Sequence, residues 1–291
     1  MEDSYFFTND GVRLHYIHGG QGKPLVIIHG YRSEAVEYCH NLEELSRRFT
    51  VYFLEHRGHG SSDRVDYGAR LSRLSMDLHQ FLEHLNLQKT HIMCHSMGAL
   101  VVFNYIDLFG QDIIDKLIII DVGPRLGRNP YESEKTNKEL GGTFTDVWKI
   151  YTEMKQSVEK GALEFLNQAE NHPDDISEES PFYQYSRNLP RKKQDPHFLA
   201  SLILNISTND FRDVVMRIAV PTMYIAGETS RATTPLLTDW YKKNISDLRV
   251  ASFTREEYGR HSMFCANPNK FNCVVTEFLT EQTADKKSIS N

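Results

Sequence analysis

Apolar positions in this 291-residue chain come in two kinds of block. Residues 24–28, 50–54, 90–94, 116–120 and 220–226 are short runs that are apolar at most positions, as strands covered on both faces are. Between them an apolar residue recurs every third or fourth position: Leu71, Leu74, Leu78, Phe81, Leu82 and Leu85 in one stretch, Leu100, Val101, Phe103, Ile106 and Leu108 in another. That period predicts helices with one face on a sheet, the second of them closed by Gly110. The start differs, because residues 6–16 alternate around Asn9-Asp10-Gly11, which predicts an antiparallel hairpin at the sheet edge. Strands and helices in alternation predict an α/β fold with a doubly wound, mostly parallel sheet.

The rhythm breaks between residues 125 and 217. Helical patterns at 144–154, 161–169 and 197–206 are separated there by polar stretches, among them the acidic run 174–179 and the basic Arg191-Lys192-Lys193. Both charged runs are expected to be solvated surface without functional weight. The sheet pattern resumes with a strand over 220–226, a helix over 236–243, a strand over 248–253 and a helix over 268–279. The expected organisation is a core domain of residues 1–124 and 218–282, an inserted helical cap of residues 125–217, and a disordered polar tail, 283–291.

Strand, sharp turn and helix meet at His95-Ser96-Met97-Gly98. A serine flanked by small residues at such a turn reads as a nucleophile elbow, because backbone must pass close to backbone for the hydroxyl to stand above the sheet. Here the pattern is Cys94-x-Ser96-x-Gly98, with cysteine at a place that glycine usually takes.

Composition narrows the partner. The 33 basic and 39 acidic residues leave a net charge of −6 without a basic stripe, which argues against nucleic acid and for a small hydrophobic molecule. No charged-then-apolar leader and no apolar run of membrane-spanning length stands in the sequence, so neither export nor insertion is expected. Cys39, Cys94, Cys265 and Cys273 are scattered without a C-x-x-C pair, as free thiols of a cytoplasmic protein are. Without that pair or a His-Glu-x-x-His motif, neither metal nor cofactor is expected. Monomer and homodimer both stay open.

Further motifs follow in order: His29-Gly30, Arg57-Gly58-His59-Gly60-x-Ser62, Pro221-Thr222 five residues before Gly227, and Gly259-Arg260-His261 ahead of Asn267-Pro268. With the elbow, they resemble the α/β-hydrolase fold family over residues 9–280. The resemblance implies Ser96 as nucleophile and His261 as the base that activates it. It also implies an oxyanion hole made by the backbone N–H groups of Tyr31 and Met97. His95 is expected to pack beside the serine, and His56 and His59 to be structural. Besides Cys94, the sequence departs from the family in two places. Arg260 is inserted between the glycine and the histidine, and Ser230 stands where the acid that orients the base is usual. Asp121, 25 residues after Ser96, is the favoured acid, since some branches of the fold carry theirs there; Glu228 and Ser230 remain alternatives.

Three functions follow from the resemblance. The first is a serine hydrolase that cleaves a carboxylic ester or lactone through an acyl-enzyme. Serine at the elbow argues against epoxide hydrolases and haloalkane dehalogenases, which need a carboxylate nucleophile. The second is a cofactor-free dioxygenase acting on an aromatic heterocycle, in which a His-Asp dyad removes a proton and Ser96 binds substrate without attacking it. The third is a hydrolase-like ligand sensor that signals through its cap. In the cap, Trp148, Tyr151, Phe182, Tyr183 and Tyr185 are candidates to line the pocket, or else belong to the cap's own core.

Overall fold

The eight strands are β1 (Glu2–Phe7), β2 (Arg13–Gly19), β3 (Lys23–Ile28), β4 (Phe49–Leu54), β5 (Thr90–His95), β6 (Ile114–Ile120), β7 (Thr222–Gly227) and β8 (Leu248–Phe253). The computed structural model describes residues 1–169, 188, 191–230 and 232–281. Its strands form one sheet in the order β1-β2-β4-β3-β5-β6-β7-β8. β1 and β2 are the expected edge hairpin, β2 runs antiparallel to β4, and all later pairs are parallel.

The continuous apolar runs have a direct cause: both faces of the central strands are covered. Val26, Ile28, Ile92, Cys94, Leu117, Ile119 and Tyr224 point into one core, while Leu25, Ile27, Met93, Ile118, Ile120 and Ile225 point into the other. The first core is closed by α2 (Leu71–His84), α3 (Met97–Phe109) and α9 (Pro235–Asn244). The second is closed by α1 (Cys39–Leu45), α10 (Met263–Ala266) and α11 (Pro268–Thr280). Between β6 and β7 the chain leaves the sheet for α4 (Glu134–Glu139), α5 (Val147–Gln156), α6 (Val158–Ala169), α7 (Pro196–Thr208) and α8 (Arg212–Val215).

Local chemistry sets where several helices begin. Asp195-Pro196, Thr234-Pro235 and Asn267-Pro268 each place a side-chain acceptor on a first-turn N–H and a proline just inside the helix. Helices α1, α4, α8 and α10, four to seven residues each, were not legible in the apolar period, which needs about two to three turns to show. The acidic run 174–179 and the tail 283–291 lie outside the described residues. No disulfide joins the four cysteines, and no described helix is long and apolar enough to cross a membrane.

Candidate active site

Ser96 ends β5 and precedes α3 with φ 53° and ψ −122°, a conformation that L residues adopt only when their surroundings impose it. The surroundings here are backbone. A side chain at Gly98 would come within 2.3 Å of the Ile28 carbonyl, so α3 can start against β3 only with glycine at that position. At Gly30 an added carbon would lie 3.2 Å from Cβ of Ser96, which places the His29-Gly30-Tyr31 loop directly against the elbow. Cys94 fits the tight turn by facing inward, with its thiol donating to the Ile118 carbonyl (3.2 Å).

Lining one pocket with Ser96 is His261. Its Nδ1 donates to Oδ2 of Asp121 at 2.6 Å, and a neutral imidazole that donates from Nδ1 presents its lone pair at Nε2. Asp121 follows β6, is fully buried and takes φ 52°. Ser230 Oγ donates to Oδ2 (2.5 Å), while Thr233 Oγ1 (2.5 Å) and the Gly227 N–H (3.2 Å) donate to Oδ1. Four donors around one carboxylate hold it in place. Ser230 therefore touches Asp121 rather than taking its place. Glu228 is exposed, with Oε2 accepting the Arg255 N–H (3.0 Å). His95 packs its ring 4.5 Å from that of His261 and donates from Nε2 to the His261 carbonyl (3.0 Å). This tie between the elbow and the histidine loop was not apparent from sequence.

The loop beside the elbow rests on buried polar groups. Among the described residues the Tyr31 N–H donates to no acceptor, whereas the next N–H, of Arg32, donates to Nε2 of His59 (3.2 Å). Glu55 accepts the N–H groups of Ala35 (2.9 Å) and Ser61 (2.6 Å) and Nδ1 of His15 (2.8 Å). Burial raises its pKa, but these bonds outweigh burial and hold it at about 2. The ring of His29 lies 4.5 Å from that of His56 and 5.2 Å from that of His59. Burial lowers His29 to about 4; burial and the neighbouring His29 lower His59 to about 3 and His56 well below its ordinary value.

These histidines make the fold acid-labile. Between about pH 6.5, where an unfolded imidazole titrates, and about 3, these three imidazoles bind more protons in the unfolded chain than in the native one. Stability therefore falls as pH falls through that window, by up to about 1.4 kcal/mol per pH unit for each histidine held neutral. We expect the urea midpoint to drop steadily between pH 7 and pH 5. An unchanged midpoint over that range would contradict the neutral cluster.

The pocket that Ser96 and His261 share is narrow and mostly apolar, its other walls being Tyr31, Leu126, Phe144, Phe165, Ile206 and Ala232 with Thr143. Trp148 and Tyr151, two of the aromatic residues expected in this role, are not among them. Trp148 is 66% exposed on α5, and Tyr151 packs beside the small Met154–Leu199–Ala200 cluster. An apolar period shows that a side chain meets some neighbour, not which one. Phe182, Tyr183 and Tyr185 lie outside the described residues.

The family model of the alpha/beta hydrolase fold matches residues 23–264. This chain belongs to the α/β-hydrolase fold family. Within the family it is 31% identical over 117 residues to a soluble epoxide hydrolase of Corynebacterium sp. (strain C12), covering 40% of this chain and 41% of that protein. It is 32% identical over 132 residues to an N-formylmaleamate deformylase of Pseudomonas putida, covering 43% and 47%. The chain thus spans less than half the length of either relative. A hydrolase from Pseudomonas aeruginosa PA01 superposes with a TM-score of 0.77 at 22% identity, over 96% of this chain and 99% of that one.

Proposed function

We propose that this α/β-hydrolase is a serine hydrolase of small, uncharged carboxylic esters or lactones, with Ser96, His261 and Asp121 as its catalytic triad. The observation that carries the reading is one arrangement: Ser96 and His261 share an apolar pocket, and His261 is held at Nδ1 by a four-donor aspartate. In this reading Oγ of Ser96 attacks the carbonyl carbon as its proton passes to Nε2 of His261. The carbonyl oxygen takes up the negative charge, facing the N–H groups of Tyr31 and Met97. The tetrahedral adduct then expels the alcohol, which receives the proton from His261, and leaves an acyl-serine. Water repeats the sequence and releases the acid.

The likeness to an epoxide hydrolase does not carry over to the reaction. Serine attack on an epoxide would form an ether, which His261 and water could not hydrolyse, and the enzyme would stop after one turnover. The His261–Asp121 pair would also serve the dioxygenase reading, as a base toward a ring hydroxyl. A panel of esters and lactones, run beside oxygen uptake on hydroxylated N-heteroaromatics, tests the two together. Hydrolysis without oxygen uptake is expected; oxygen uptake by a protein that cleaves no ester would replace the first reading with the second.

The pocket lining also predicts selectivity. Among the described residues that line it there is no aspartate, glutamate, lysine or arginine, and a carboxylate placed there would lose its hydration without gaining a partner. A p-nitrophenyl hemisuccinate is therefore expected to react about 100-fold more slowly, in kcat/KM, than the butyrate of equal length. Equal rates for the two would show that the acyl group occupies some other space.

A further inference from the structure

The basic Arg191-Lys192-Lys193 and the residue after it are a strap over the oxyanion loop. Arg191 pairs with Glu37. The Lys192 N–H donates to Oε2 of the buried Glu34 (3.3 Å), and Nε of Arg64 donates to the Lys193 carbonyl (2.9 Å). At the centre Gln194 and Arg32 hold each other reciprocally. Nε2 of Gln194 donates to the Arg32 carbonyl (3.0 Å), and Nε of Arg32 donates to Oε1 of Gln194 (3.3 Å). Five residues on, the Leu199 carbonyl in α7 accepts the Tyr31 hydroxyl (2.8 Å).

These bonds fall on the part of the loop that needs holding. Arg32 takes φ 60°, a left-handed conformation that is costly for a non-glycine residue and persists where its surroundings hold it. His59 holds its N–H and Gln194 its carbonyl. The residue before it is Tyr31, whose N–H donates to no acceptor among the described residues and whose loop abuts Ser96. We propose that Gln194 is a positioning residue for the oxyanion hole: by holding the Arg32 carbonyl from the cap side, it fixes the backbone that aims the Tyr31 N–H at the substrate oxygen. The inference rests on the serine-hydrolase reading given above.

The test compares wild type, Gln194→Ala and Gln194→Glu. Glutamate keeps an acceptor for Nε of Arg32 but has no N–H for the Arg32 carbonyl, so it isolates the bond at issue. The measurements are the rate at which a fluorophosphonate labels Ser96, read by intact mass, and kcat and KM for p-nitrophenyl propionate and its thiono analogue. Both variants are expected to label about tenfold more slowly and to lose about tenfold in kcat on the oxygen ester, with KM within about twofold. The thionoester should lose less, because its sulfur gains little from an N–H donor, so the ester-to-thionoester ratio falls in both variants. A purely structural role would lower the melting temperature and slow both substrates alike. Retention of the wild-type ratio and labelling rate by Gln194→Glu would overturn the inference while leaving the reading in place. A folded wild type that is not labelled at all would remove the reading, and the inference with it.

Discussion

Ser96→Ala is expected to abolish ester hydrolysis and phosphonate labelling while the protein stays folded. In the proposed mechanism the hydroxyl is the atom that attacks, and neither neighbour at the elbow would replace it: Met97 carries no ionisable or hydroxyl group, and the Nε2 of His95 is committed to the His261 carbonyl. Removal of a triad nucleophile costs about a million-fold in kcat in enzymes where the residues act as a unit. The elbow adds a second expectation. At φ 53° and ψ −122° the Ser96 backbone costs on the order of 1–3 kcal/mol, which glycine would largely escape. Ser96→Gly should therefore be inactive yet about 1 kcal/mol more stable than wild type. Turnover by Ser96→Ala above about one part in a thousand of wild type would remove the nucleophile assignment. Equal stability of the glycine variant and wild type would mean that the elbow stores no strain.

Asp121→Asn is the second large effect. The carboxylate accepts from His261, Ser230, Thr233 and the Gly227 N–H. An asparagine exchanges one acceptor oxygen for an amide nitrogen within a ring of donors. Where that nitrogen faces His261, the imidazole must turn its lone pair to Nδ1 and carry its proton on Nε2, the form that cannot deprotonate Ser96. A loss of about 10³–10⁴ in kcat is expected, with KM little changed. Ser230→Ala should cost about tenfold, the scale of one hydrogen bond to a charged group. The ratio of the two effects is the measurement. A Ser230→Ala loss larger than that of Asp121→Asn would move the essential acidic function to the β7 side of the site.

The sequence and the tertiary structure divide this protein along a physical line. Strand and helix periods, the turn around Ser96 and the glycine at position 98 are local matters, settled within a few residues by side-chain alternation and backbone sterics. The sheet and the elbow were therefore legible, and the two continuous cores followed from runs that are apolar on both faces. The hydrogen-bond partner of His261 was legible only as a choice among Asp121, Glu228 and Ser230. Sequence spacing treats these as rivals, but β6 and β7 lie side by side, so residues 109 apart in the chain come to share one hydrogen bond. Tertiary structure gives Ser230 to Asp121 and turns Glu228 outward to Arg255. The pocket followed the same rule: Trp148 had the right residue type but stands in solvent, while Phe144, Phe165 and Ile206 line the cavity. Arg191-Lys192-Lys193, which composition marks as ordinary charged surface, finds Glu34, Glu37 and Arg64 beneath it. Amino-acid order alone marked the strands, the longer helices and the position where a serine must be strained. Only packing between segments far apart in the chain decided which polar groups meet, because hydrogen bonds select partners by distance in space.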